Sequence, residues 1–120
     1  MHRLMTVLPI AILASGCARP SIHHVVLIEL NDESGRESLV ADCDRLLPSI
    51  PSVATYWCGE HGDFGRTGVD SDYDVALCVS FDSDADYQTY LSHPHHVELV
   101  TEWKPRMAWI RIHDVVDETP

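Results

Sequence analysis

The stretch YDVALCVSFDSDADYQTYLSHPHHVELV, residues 73–100, reads as a strand, a capped helix and a second helix started by a proline. Tyr73, Val75, Leu77, Val79 and Phe81 occupy every second position and so share one face of a strand, with Asp74, Ala76, Cys78 and Ser80 on the other. Asp82 or Ser83 can cap the helix that follows, Ser83 and Asp86 fit a capping box, and Asp84 and Asp86 put negative charge where the helix dipole favours it. The helix is expected to begin near Asp84 and to turn Tyr87, Tyr90 and Leu91 inward. It breaks at His93, because a residue before proline is pushed out of the helical region, and Pro94 opens a new helix. His96, Leu99, Val100 and Trp103 then recur at helical spacing, which places His96 on the apolar face and turns His95 and Glu98 outward.

On the N-terminal side, His24, Val26, Ile28 and Leu30 alternate with Val25, Leu27 and Glu29. A strand apolar on both faces is central in its sheet, and His24 is in phase with its more apolar set. Ser34 with Glu37 suggests a capping box for a helix ending at Leu47, closed by Pro48 and Pro51. A second strand is expected over residues 53–59, and a glycine-rich loop holding Gly62, Gly65 and Gly68 joins it to the third. On the C-terminal side Pro105 stops the chain before a last strand over residues 107–116. Strand, helix, strand, strand, helix, strand predicts a ferredoxin-like α+β fold, a four-stranded antiparallel sheet with its helices on one face. The other face would carry Val25, Leu27, Tyr56, Cys58, Ala76, Cys78 and either Trp109 or Ile110. That surface is too apolar to leave wet, so two copies are expected to pack sheet to sheet as a homodimer.

A chain of 120 residues with a net charge of −11 allows one domain and lacks the basic patches that nucleic acid or an anionic membrane surface would require. His2 and Arg3 precede an apolar run from Leu4 to Leu13 that is too short to span a bilayer, and Ala14, Ser15 and Gly16 lead to Cys17. This resembles a bacterial lipoprotein signal, with Ala14 where such signals usually carry leucine; an ordinary secretory signal is the alternative. Residues 1–16 are read as the signal peptide, Cys17 as the lipidation site, 17–21 as a tether and 22–117 as the domain, giving an exported protein that meets the membrane only through its lipid. Cys43, Cys58 and Cys78 remain, an odd set without a CxxC pair. Cys43 reads as a buried small hydrophobe, and one disulfide in an oxidising compartment stays open, without a choice of partners.

Several motifs fail on spacing. Asp70, Asp72 and Asp74, and again Asp82, Asp84 and Asp86, open like calcium loops but lack the later glycine and glutamate, so they read as a solvated strand edge and a helix cap. The glycine-rich loop lies between strands and is no phosphate cradle. His93, His95 and His96 lack a metal-ligand pattern with a further ligand. No cofactor is indicated. His24 and His96 are either hydrogen-bonded core histidines or two imidazoles of a pocket suited to proton transfer near neutral pH.

His24 to Ile28, the strand end Tyr56, Trp57, Cys58 and Gly59, the run Asp72 to Leu77 with Phe81, and Tyr90 to Val97 with its histidine-proline motif together resemble the stress-responsive A/B barrel (Dabb) family. The resemblance covers nearly all of residues 22–117 and implies the dimeric α+β barrel. Most members have no established activity. A plant member closes a polyketide by an aldol reaction with a first-strand histidine, a helix tyrosine and the last histidine of the His-Pro motif, positions matched here by His24, Tyr90 and His96. Glu29 and the glycine-rich loop have no clear equivalent there, and an exported protein would not meet that enzyme's thioester substrates. The resemblance thus implies a small apolar pocket rather than the same substrate. Three readings follow: a stress-associated or small-molecule-binding module, a cofactor-free cyclase or lyase using His24, Tyr90 and His96, or a haem-handling protein.

Overall fold

The computed structural model describes residues 20–120; the expected signal over residues 1–16 and the expected lipidation site Cys17 lie outside the described residues. Its elements run β1 (Ile22–Leu30), a 3-10 turn (Glu33–Gly35), α1 (Arg36–Leu46), β2 (Thr55–Glu60), β3 (Val75–Phe81), α2 (Asp84–Ser92), α3 (Pro94–Trp103), a second 3-10 turn (Lys104–Arg106) and β4 (Met107–Val116). The strands form one antiparallel sheet in the order β2-β3-β1-β4, the expected ferredoxin-like arrangement, with the helical segment after β3 divided in two.

The helix-side core follows from strand phase. Val26, Ile28 and Leu30 of β1 and Val75, Leu77, Val79 and Phe81 of β3 are buried against Leu39, Cys43 and Leu46 of α1, Tyr90 of α2, and Leu99 and Trp103 of α3. The Trp103 indole donates to Asp42 Oδ2 at 2.9 Å, so the ring is buried with its polar end satisfied. In the register of β1 and β4 a shift falls between Glu29 and Leu30, where β4 carries Ala108 as an extra residue.

Four expectations are corrected. Tyr56 and Cys58 do not lie on the face away from the helices: they pair with Val79 and Leu77, so β2 turns them toward the core and turns Trp57, opposite Cys78, to the far side. Tyr73 is not in the core set; β3 starts at Val75, and Tyr73 stacks edge-on with His61. Asp74 is buried, not solvated, because its carboxylate accepts from the Leu30 N–H at 2.8 Å and caps the end of β1. The Ser34 capping box is absent: Asp32 accepts from the Ser34 N–H and caps the 3-10 turn, and α1 starts at Arg36 with Gly35 at its N-cap and no side-chain cap. Of the two residues left open on β4, Ile110 pairs with Ile28 on the helix side, which leaves Trp109 with Glu29 on the far side.

Candidate functional site

A pocket of about 430 Å³ opens between the helices and the β1–β4 half of the sheet. β4 is an edge strand, and its helix-side residues Ile110 and Ile112 are about half exposed because the helices stop short of it. Val26, Ile28, Leu39, Leu47, Leu77 and Leu99 line the interior, and Leu91 and Val100 from the helices join Ile110 and Ile112 at the rim.

His24, Tyr90 and His96 all line this pocket. His24 arrives on β1, in phase with Val26 and Ile28. Tyr90 arrives on α2, whose start is held by Ser83 Oγ accepting from the Asp86 N–H at 3.1 Å. His96 arrives on α3, displaced from α2 by the extended backbone of His93 (φ −66°, ψ 139°) ahead of Pro94. The Tyr90 ring stands between the imidazoles, its centroid 4.5 Å from that of His96 and 6.0 Å from that of His24. Phe81 closes the back of the group, 5.0 Å from Tyr90.

Two further residues complete the polar end. Asp114 pairs with His24 in the β1–β4 register, and its Oδ1 lies 2.6 Å from His24 Nδ1. Tyr87 Oη is 2.9 Å from Asp114 Oδ2 and 2.9 Å from His24 Nδ1. A carboxylate only accepts, so the proton lies on His24 Nδ1, the Tyr87 hydroxyl donates to Asp114, and His24 Nε2 is left as an acceptor. Nothing in the motifs pointed to Asp114 or Tyr87 as a set. Asp114 shares the phase of Ile110 and Ile112, and that phase was the usable signal once β4 is known to turn Ile110 inward.

His96 is fixed in the same sense. Its Nδ1 lies 3.0 Å from the Leu91 carbonyl, which accepts, so Nε2 again carries the lone pair. Burial holds its pKa below the ordinary 6.5, with a smaller push from His24, against the upward pull of the Leu91 hydrogen bond. Burial likewise pushes the Tyr90 phenol up, so it stays protonated and is a donor; among the described residues it makes no hydrogen bond. The site therefore offers two imidazole acceptors and one phenol donor within an apolar enclosure, the groups needed to hold or move a proton on a carbonyl or hydroxyl compound. His93 and His95 serve other ends: His93 Nδ1 accepts from the His95 N–H and caps α3, and His95 bonds Ser49 Oγ at 2.7 Å. Among the described residues no group of three or more His, Cys, Asp or Glu could hold a metal ion.

Residues 22–117 match the profile of the family described as Stress responsive A/B Barrel Domain. A search of curated proteins by sequence found no match. Among solved structures the chain is similar to a dimeric ferredoxin-like protein of unknown function from Thermobifida fusca, with TM-score 0.68 and 23% identity over 82% of this chain and 92% of that one. It is similar also to a Dabb family protein with a ferredoxin-like fold from Mesorhizobium loti (TM-score 0.67, 22% identity, 84% and 100% covered). A third similar structure is the hydroxynitrile lyase from Passiflora edulis (TM-score 0.68, 22% identity, 85% and 99% covered). Identities at this level carry the fold.

Proposed function

The chain belongs to the stress-responsive A/B barrel domain (Dabb) family, and from that premise we propose that it is an exported, lipid-anchored homodimer that binds a small, largely apolar molecule in the pocket between its sheet and its helices. One observation carries this reading: an apolar cavity of about 430 Å³ into which His24, Tyr90 and His96 converge from three different elements. A cavity of that size lies within the range of roughly 300 to 1,000 Å³ found for small-molecule sites, near its lower end, which suits a compound much smaller than a porphyrin and disfavours haem. The ligand is expected to be neutral, since the half-exposed carboxylate at the polar end of the pocket, Asp114, is already committed to His24 and Tyr87.

The test is a thermal-shift panel of neutral aromatic and aliphatic carbonyl and hydroxyl compounds. Some should raise the melting temperature of the parent, and His96→Ala should lose that rise while its own unliganded stability stays within about 1 kcal/mol of the parent. A panel without effect, or a shift that survives in the variant, would sink the pocket. Export and anchoring are tested separately: the parent should fractionate with membranes and Cys17→Ala should become soluble, and identical fractionation would refute the anchor.

A second reading is a cofactor-free lyase or cyclase, favoured by the His24–Asp114 contact of 2.6 Å. Asp114 fixes the tautomer in which His24 Nε2 can take a proton, His96 Nε2 can take another, and the Tyr90 phenol can donate to a carbonyl oxygen. The hydroxynitrile lyase of Passiflora edulis shares the fold, which is compatible with this chemistry. Consumption of a panel compound, measured by mass spectrometry and lost in His96→Ala, would raise this reading above simple binding.

A further inference from the structure

We infer that Cys43 and Cys58 are a disulfide-forming pair that ties α1 to β2 beside the pocket. The register and the helix phase argue it independently of the thiols themselves. Leu39, Cys43 and Leu46 are the buried stripe of α1, so Cys43 faces the sheet. Cys58 pairs with Leu77, whose side chain is in the core, so Cys58 faces the helices and packs against the cluster that contains Cys43. The two thiols are thus neighbours on the same side of the sheet, and both are free. Cys78 is on the opposite side of the sheet, paired with Trp57 and Val25, and its Sγ lies 3.8 Å from Ser80 Oγ, so it cannot compete.

The chemistry assigns an order. Cys58 is the half-buried thiol and Cys43 is fully buried. The neighbouring Cys43 thiol holds Cys58 below its ordinary value, while the same interaction together with burial pushes Cys43 up. Cys58 therefore reacts first: as thiolate it attacks a disulfide donor, expels one donor thiolate and forms a mixed disulfide. Cys43 then loses its proton, attacks Cys58 Sγ and releases the second donor thiol. Two thiols are oxidised, one donor disulfide is reduced to two thiols, and the donor is any small or protein disulfide of an oxidising compartment. This setting rests on the export reading proposed above, whereas the pairing rests on the fold. Cys43 lines the pocket, so the bond would also stiffen its floor.

The test equilibrates purified, reduced protein with oxidised and reduced glutathione, quenches with an alkylating agent and maps the peptides. The expected product is lighter by two hydrogen atoms, with Cys43 linked to Cys58 and Cys78 alkylated, and it closes a loop of about 15 residues, enough to raise the melting temperature by roughly 10 °C. Cys43→Ser should stop at a glutathione adduct on Cys58, and Cys58→Ser should leave Cys43 a thiol. Two free thiols at oxidising poise, or a link through Cys78, would overturn the pairing. Because this measurement uses purified protein, it stands whatever the compartment. Protein trapped in cells with both thiols free, after the bond has formed in glutathione, would instead overturn the export reading.

Discussion

His96 is held uncharged by its surroundings, and that has a consequence for stability that can be signed. Its folded pKa lies below the ordinary 6.5, chiefly because burial penalises the imidazolium. The unfolded chain therefore binds a proton at this ring more readily than the folded chain does, so stability is full above about pH 6.5 and falls as the pH drops through that value. It levels off only where the folded ring protonates as well. Denaturation of the parent and of His96→Gln from about pH 8 to about pH 5 should show the parent losing ground relative to the variant below about 6.5. Parallel profiles would contradict the burial argument. The neighbouring imidazole offers a different test, since its tautomer is set by Asp114 Oδ1 at 2.6 Å. Nitrogen-15 spectra should show His24 protonated at Nδ1 in the parent, and Asp114→Asn, whose amide can also donate, should release that preference. A parent ring protonated at Nε2 would remove the reason for placing a lone pair at the pocket.

Caps decide where the helices carrying these side chains begin, and they differ in a way that separates two serines. Ser83 Oγ accepts from the Asp86 N–H at the start of α2, whereas the hydroxyl of Ser34 caps nothing, Asp32 having taken the turn before α1. Ser83→Ala should cost about 1 kcal/mol in chemical denaturation and Ser34→Ala close to nothing. Equal costs would mean that the α1 cap has been misjudged. Both serines stand three residues before an acid, which is why the sequence pattern treats them alike. It is the competing Asp32, two residues earlier, that it does not weigh. The α2–α3 break was legible for a stronger reason, because Pro94 constrains His93 by sterics alone. Strand phase was legible where alternation is long, as in Val75 to Phe81, and placed His24 on the helix side. It failed in the short β2 strand, where Tyr56, Trp57 and Cys58 are all compatible with a core, and only pairing with β3 shows that Tyr56 and Cys58 turn inward. The Asp114–His24 contact belongs to the same class, a cross-strand register that becomes visible only when the β4 phase is known.

The far side of the sheet is where the proposed dimer would form. In register its rows run Trp57, Cys78, Val25 and His113, then Gly59, Ala76, Leu27 and Arg111, flanked by Trp109 beside Glu29. The chain holds 19 acidic residues against 8 basic ones, yet the strands show just one acid, Glu29, among these positions, and Trp57 is 54% exposed there. A net charge of −11 opposes self-association anywhere else, because like charges repel across a contact. On this face acids are few and Trp57 and Val115 stand exposed, which is the physical case for the proposed sheet-to-sheet pairing. Leu27 is a poor place to test it, since a glutamate there would sit opposite Arg111 and find a counter-charge. Val25, between Cys78 and His113, has no cation fixed beside it. Light scattering at micromolar concentration should give twice the chain mass for the parent. Val25→Glu should give the monomer mass, because an uncompensated charge in a dry interface costs about 3 to 5 kcal/mol. Circular dichroism would establish that the variant keeps its strands and helices. A monomeric parent, or a folded Val25→Glu that remains dimeric, would mean that this face is not where two copies meet.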